Sequence, residues 1–256
     1  MGDLSRHQVW EEPGVGRLFG EFYANAQTGN LRSPSFIMSD STRKRWISSV
    51  RNFVLDGAEY ANPHVAGSDY LVVKEPGGSS VGAPLLMEAL PESRMILLLR
   101  DPRDIMASIL DSARKGGWYY EWQDAGARKP VPLADKDPNT FVKRRSSTYL
   151  RQMDNARQAY AAHKGRKVLV KYEDLRTDAL GEMKRIYSVL GLSFDEVQLA
   201  RAVEQHSWDN IPEEEKGEGK FTRKAKPGGW REDLTPKQVK IVEEITGPFL
   251  KEFYPG

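Results

Sequence analysis

The chain has 256 residues, of which 39% are hydrophobic and 29% charged, a balance typical of a globular protein rather than a disordered one. The net charge of +2 gives no argument for a nucleic-acid partner. The sequence contains no cysteine, which excludes disulfides, thiolate metal sites and a cysteine nucleophile within it. No apolar run approaches the roughly 18 residues of a membrane-spanning helix, so we expect a cytoplasmic protein with no membrane partner.

Hydrophobic periodicity predicts helices that alternate with short apolar strands. The apolar run at 95–99 is expected to be a strand buried on both faces of a parallel sheet. This alternation predicts an α/β fold, in which ligands bind beyond the carboxyl ends of strands, here just after Val73, Leu99 and Val170. The predicted strands span 70–73, 95–99 and 167–172; the predicted helices span 40–55, 81–90, 140–163, 179–190, 196–205 and 235–253, and one more begins at Pro102.

The first polar cluster follows the strand at 95–99. Arg100 stands at the strand end, and Ser108 lies more than one turn into the helix that Asp101 is expected to cap. A planar guanidinium and a hydroxyl on the facing helix can both donate hydrogen bonds to the same phosphate. A local ion pair of Arg100 with Asp101 or Asp104 explains the same charges equally well, so both interpretations stay open.

Two further patterns are weaker when taken alone. Tyr172 ends the strand at 167–172 and could stack on a base, whereas Glu173 and Asp174 are better explained as caps of the next helix. The segment 221–230 is a basic loop that suits a phosphate clamp, although an exposed loop held by one aromatic explains it at least as well. Its distinctive residues are Arg223, Lys224, Gly228 and Trp230.

Together the three clusters resemble the sulfotransferase family that uses 3′-phosphoadenosine 5′-phosphosulfate (PAPS). Residues 100–104 with Ser108 resemble its 3′-phosphate motif, 172–175 its strand-end motif, and 223–230 its C-terminal basic motif, in which Ala225 replaces the usual first glycine. The resemblance implies a three-layer, P-loop-nucleotide-hydrolase-like parallel sheet flanked by helices, in one domain over 1–256. The residues it assigns to cofactor binding are Arg100, Ser108, Tyr172, Arg223, Lys224 and Gly228.

The start of the chain resembles bacterial and tyrosyl-protein members of the family. By that resemblance Glu12 is the expected general base, with Glu11 as the fallback, and Lys74 is expected to help bind cofactor or substrate. The implied reaction moves a sulfuryl group from PAPS to a hydroxyl or amine of a small-molecule, glycan or peptide acceptor, and leaves adenosine 3′,5′-bisphosphate (PAP). The family also allows a homo-oligomer, and the scattered histidines predict no metal.

The family's first motif, typically Arg-Ser-Gly-Thr-Thr at the head of a helix, has no counterpart in the sequence. We therefore expect an N-terminally truncated domain in which that strand and loop are missing, with 77–80 as the one substitute. An alternative is a non-catalytic remnant of the family, which still binds the nucleotide but no longer transfers a sulfuryl group. The aromatic run 118–122 could cover an acceptor, and filling a core beneath a lid explains it about equally well.

Overall fold

The structure is a computed structural model that describes residues 7–27, 43–61, 70–122 and 131–255. The predicted start of the first long helix, at Asp40 or Ser41, lies outside these residues. The described chain forms two compact units. The first unit comprises 1–97, 152–168 and 186–202, and the second comprises 98–151, 169–185 and 203–256. The expectation of one domain over the whole chain stays a prediction.

Strands and helices alternate along the described chain, as the α/β prediction requires. The strands are β1 (His7–Glu11), β2 (Tyr70–Lys74), β3 (Met95–Leu99) and β4 (Lys167–Lys171). The helices are α1 (Val15–Gln27), α2 (Arg43–Ala61), α3 (Ala83–Ala89), α4 (Pro102–Ala113), α5 (Trp118–Trp122), α6 (Leu133–Lys136), α7 (Pro138–Ala162), α8 (Tyr172–Thr177), α9 (Ala179–Leu190), α10 (Glu196–Gln205), α11 (Trp230–Asp233) and α12 (Pro236–Phe253). A 3-10 segment, Gly77–Gly82, precedes α3, where the sequence predicted the start of a helix at 81.

In the first unit, β1 and β2 pair in parallel, with His7 opposite Tyr70 and Glu11 opposite Lys74. Parallel pairing brings the carboxyl ends of both strands to one edge. Helices α1, α2 and α3 enclose an apolar cluster of Val15, Val50, Val54, Leu85, Leu86 and Ala89. Helix α1 approaches the 3-10 segment so closely that a Cβ on Gly20 would lie 2.5 Å from the backbone nitrogen of Gly82.

The helix termini of the second unit are set by local capping. The Asp101 side chain accepts a 2.8 Å hydrogen bond from the Arg103 N–H, and Pro102 occupies the first helical turn of α4, as predicted. Thr235 and Gln238 form a reciprocal capping box at the start of α12. Each cap is encoded within four residues of sequence, so these boundaries could be predicted closely.

Strand β3 pairs with β4, but the expectation that both faces of β3 are buried is wrong. Leu97 and Leu99 are buried, whereas Ile96 is 39% exposed and Leu98 is 52% exposed. An apolar run identifies a strand, but the cover on each face comes from elements distant in sequence. Within the described residues, no helix is long and apolar enough to cross a bilayer.

Candidate functional site

Glu12 and Lys74 meet at the carboxyl edge of the β1–β2 pair. The Lys74 ammonium lies 3.0 Å from Glu12 Oε1, and the Glu12 N–H donates a 2.9 Å hydrogen bond to the Lys74 carbonyl. Glu12 has a φ of +47°, a left-handed conformation that costs free energy for a residue with a side chain. Such strain persists where the surroundings enforce it and is concentrated at functional positions. The structure thus brings the two predicted catalytic residues together, while their roles stay predictions.

The segment 77–80 does not present its hydroxyl groups. Ser79 and Ser80 are both buried, and the Ser79 N–H is already bonded to the Pro76 carbonyl at 2.8 Å. The neighbouring Glu75 accepts a 3.2 Å hydrogen bond from the Gly16 N–H in the first turn of α1. In this conformation, the predicted substitute loop therefore offers neither serine hydroxyl to a phosphosulfate.

In the second unit, the Arg100 guanidinium lies over the Tyr172 ring, with its carbon 4.4 Å from the ring centroid. Arg100 Nε is buried and has no hydrogen-bond partner among the described residues. The Tyr149 hydroxyl donates a 3.0 Å bond to the Arg100 carbonyl and fixes the backbone at the strand end. Arg100 is thus a partly buried, positioned cation with unused hydrogen-bonding capacity.

The local ion pair considered for Arg100 does not form. Asp101 pairs with Arg103 at 2.8 Å instead, and the Asp104 carboxylate accepts hydrogen bonds from the N–H groups of Gly228 (2.7 Å) and Trp230 (2.9 Å). Because Asp104 is buried, these bonds anchor the C-terminal basic loop to the first turn of α4. The sequence indicates Asp104 only as a possible local ion-pair partner, since no local signal predicts a bond spanning more than a hundred residues.

Glu173 does not cap α8, contrary to the preferred interpretation. Its two carboxylate oxygens accept hydrogen bonds from the Asp101 N–H and the Tyr254 hydroxyl, each at 2.9 Å. Burial, followed by the charge of Glu173, raises the pKa of the Tyr254 phenol above its usual value, so that this group stays a donor. Glu173 therefore joins the strand-end motif to the 3′-phosphate motif and to the C-terminal segment.

Arg223 and Lys224 both contact Asp233, at 2.7 Å and 2.6 Å respectively. The hydrogen bond to Asp233 is the main cause of a raised Lys224 pKa. Burial acts to raise the pKa of Asp233, but the hydrogen bonds from Lys224 and Arg223 outweigh it and hold that pKa below its usual value. Ala225 adopts a φ of +46°, the conformation that the glycine usual at this position would favour.

A sequence model described as a sulfotransferase domain matches residues 82–254, which cover all three motifs of the second unit. The chain belongs to the sulfotransferase family. This confirms the family expected from the resemblance.

Two curated sulfotransferases illustrate the relationship. Cytosolic sulfotransferase 17 of Arabidopsis thaliana is 22% identical over 201 residues, which are 68% of this chain and 56% of that protein. Sulfotransferase 2A6 of Rattus norvegicus is 23% identical over 240 residues, which are 83% of this chain and 76% of that protein. The chain thus spans little more than half the length of the plant sulfotransferase.

A solved structure with the same fold is that of retinol dehydratase in complex with retinol and PAP. It matches with a TM-score of 0.51 at 16% identity, covering 96% of this chain and 81% of that chain. The likeness confirms the predicted α/β, P-loop-like fold of this chain.

Aromatic side chains of this chain form a platform on the second unit. The rings of Trp118 and Phe221 meet edge to face with centroids 5.1 Å apart, and those of Tyr119 and Trp122 stack at 6.3 Å. Trp122 and Phe221 are largely exposed, so the described part of this run does not fill a core. Phe221 comes from the basic loop, a partner that the sequence alone did not indicate.

Proposed function

We propose that the chain transfers a sulfuryl group from PAPS to a hydroxyl or amine of an acceptor and releases PAP. The observation that carries this proposal is Arg100, held over Tyr172 at the end of β3 with a buried Nε that no described residue uses. An unused guanidinium donor fits a phosphate oxygen, and an adjacent tyrosine ring fits the flat face of adenine.

The rest of the nucleotide site is proposed from the same unit. Ser108 is half-buried on α4, the helix to whose first turn Gly228 is bonded through Asp104. Arg223 and Lys224 supply two further cations, already oriented towards one carboxylate. A carboxylate and a phosphate present similar pairs of oxygens, so this arrangement supports a role in holding the 3′-phosphate.

The transfer itself needs a proton acceptor and in-line alignment more than covalent catalysis by the protein. PAPS, when bound, supplies the sulfuryl group. Glu12 takes the proton of the acceptor hydroxyl as the new oxygen–sulfur bond forms and the bond from sulfur to the 5′-phosphate oxygen breaks. Lys74, 3.0 Å from Glu12, orients that carboxylate. A small molecule, a glycan or a peptide satisfies this chemistry, and the aromatic platform offers ring surfaces for one.

A second candidate function is nucleotide binding without transfer. Burial of Ser79 and Ser80 favours it, because the loop predicted to substitute for the 5′-phosphosulfate loop then exposes neither of its hydroxyl groups. Transfer of labelled sulfate from PAPS to a panel of hydroxyl and amine acceptors separates the two functions. Turnover supports the enzyme, whereas binding of PAP without turnover supports the remnant.

Thermal unfolding with nucleotides tests the binding site directly. We expect PAP at a hundredfold excess over its Kd to stabilise the chain by about 2.7 kcal/mol. Adenosine 5′-phosphate at the same concentration should stabilise the chain much less. Arg100→Ala should remove the difference between the two nucleotides. Arg94→Ala is the matched control, since Arg94 precedes the same strand and also lies over a tyrosine, with its guanidinium carbon 5.3 Å from the Tyr70 centroid. Equal melting shifts for both nucleotides in the wild-type chain would contradict the proposal.

A further inference from the structure

The basic loop presents its two predicted phosphate-binding cations to an internal anion. Asp233 Oδ2 lies 2.7 Å from Arg223 Nη1, and Asp233 Oδ1 lies 2.6 Å from Lys224 Nζ, so each carboxylate oxygen serves one cation. The Arg223 and Asp233 side chains are only 10% and 17% exposed. An ion pair with so little exposure is poorly screened by salt and competes effectively for its partners.

The contacts of Asp233 with Arg223 and Lys224 lie beside a cavity, and the Asp233 carboxylate takes the position that a bound anion would have between these two cations. Arg223, Lys224 and Asp233 line a cavity of about 130 Å³, whose other charged lining residues are Arg114, Asp111 and Glu218. The Arg114 guanidinium has no ion-pair partner among the described residues. Three cations and three carboxylates therefore line one cavity. Asp111 accepts a hydrogen bond from the Gly219 N–H, whereas Asp233 is the carboxylate that bridges two of the cations.

We propose that Asp233 is a built-in competitor for the 3′-phosphate, occupying Arg223 and Lys224 until the nucleotide displaces it. This inference rests on the proposed nucleotide site and adds a determinant of its affinity. In the absence of nucleotide, the two carboxylate oxygens of Asp233 hold Arg223 and Lys224 in place. The relative positions of the two phosphate-binding cations are therefore preserved. The observed affinity is then lowered by the fraction of molecules in which Asp233 holds the cations.

Isothermal titration of the full chain with PAP at low ionic strength tests the inference. Asp233→Asn removes the charge but keeps the side-chain size, and it should lower the Kd for PAP by roughly tenfold. The Kd for adenosine 5′-phosphate should stay within about twofold, because that nucleotide lacks the competing group. Glu232→Gln is the charge-matched control: Glu232 lies on the same helix and pairs with Lys226, and its contact with Lys224 is longer, at 3.6 Å, and more exposed than that of Asp233. It should change the PAP Kd by less than about twofold.

The outcomes separate this inference from the proposed function. Wild-type binding of PAP with a Kd that Asp233→Asn leaves unchanged or raises overturns the inference alone, since Asp233 would then order the clamp. Failure of both chains to bind PAP overturns the nucleotide site as well. A structure of the wild-type chain with PAP gives a second measurement that needs no variant. The Asp233 contacts to Arg223 and Lys224 should open beyond about 4 Å, and their persistence overturns the inference.

Discussion

Single side chains in this protein are constrained by partners that the sequence does not place nearby. Arg100 was predicted to bind either a phosphate or a neighbouring aspartate, and its residue type and position could not decide between them. The structure distinguishes the two interpretations, because Asp101 pairs with Arg103 instead. Asp104 accepts hydrogen bonds from the backbone N–H groups of Gly228 and Trp230. Neither aspartate therefore forms an ion pair with Arg100, and this result depends on the three-dimensional arrangement, which the sequence does not give.

Glu12 is the residue on which the proposed chemistry depends most directly. Replacing it by Gln should lower kcat by roughly 10²–10⁴-fold, because the amide cannot accept the acceptor's proton. The Kd for PAP should stay unchanged, since PAP lacks the sulfuryl group beside which Glu12 is proposed to act. Steady-state kinetics with labelled PAPS and titration with PAP measure the two quantities.

Glu11→Gln is the matched control for that substitution. Glu11 is the last residue of β1, exposed and adjacent to Glu12 in sequence, and it was the fallback for the same role. Activity that survives Glu12→Gln but is lost in Glu11→Gln would assign the base to Glu11 instead.

At the scale of elements, local signals predicted the termini and missed what depends on distant packing. Helices α9 and α10 have the predicted bounds, and α4 begins at the predicted cap. The range of β3 was also correct, but the exposure of Ile96 and Leu98 was not foreseen. Gly77–Gly82 forms a 3-10 segment because it packs against the glycines of α1, a contact that no periodicity within the segment indicates.

The basic loop keeps the backbone shape of a glycine motif without the glycine. Ala225 has a φ of +46°, and its carbonyl accepts a 3.0 Å hydrogen bond from Arg176 Nε. We expect Ala225→Gly to raise the free energy of unfolding by about 1 kcal/mol, because glycine adopts this conformation without strain. Urea denaturation measures the change.

Ala200→Gly provides the opposite reference for that experiment. Ala200 lies within α10, where glycine should lower the free energy of unfolding by roughly 0.5–1 kcal/mol. A loss of stability in Ala225→Gly of the same size as in Ala200→Gly would show that Ala225 is not strained.

At the scale of the whole molecule, the predicted site residues divide between the two compact units. Glu12 and Lys74 belong to the first unit, whereas Arg100, Tyr172 and the basic loop belong to the second. The sequence placed Lys74, Arg100 and Tyr172 at strand ends and the basic residues in a loop. The structure agrees except that Tyr172 begins α8, directly after β4. The sequence could not show that the nucleotide-binding residues share one unit, since those residues come from three separate segments of the chain, which are joined by Glu173 and Asp104.

This division predicts a local signature of nucleotide binding in amide hydrogen exchange. Units of a protein open with different free energies, so a ligand that contacts one unit protects that unit beyond the stabilisation it gives the whole fold. PAP should slow exchange in α4 and in 223–230 more than in α2 and α3 of the first unit. Adenosine 5′-phosphate provides the control, and Arg100→Ala should remove the difference. Equal slowing by PAP in α2 and α4 would contradict a nucleotide site confined to the second unit.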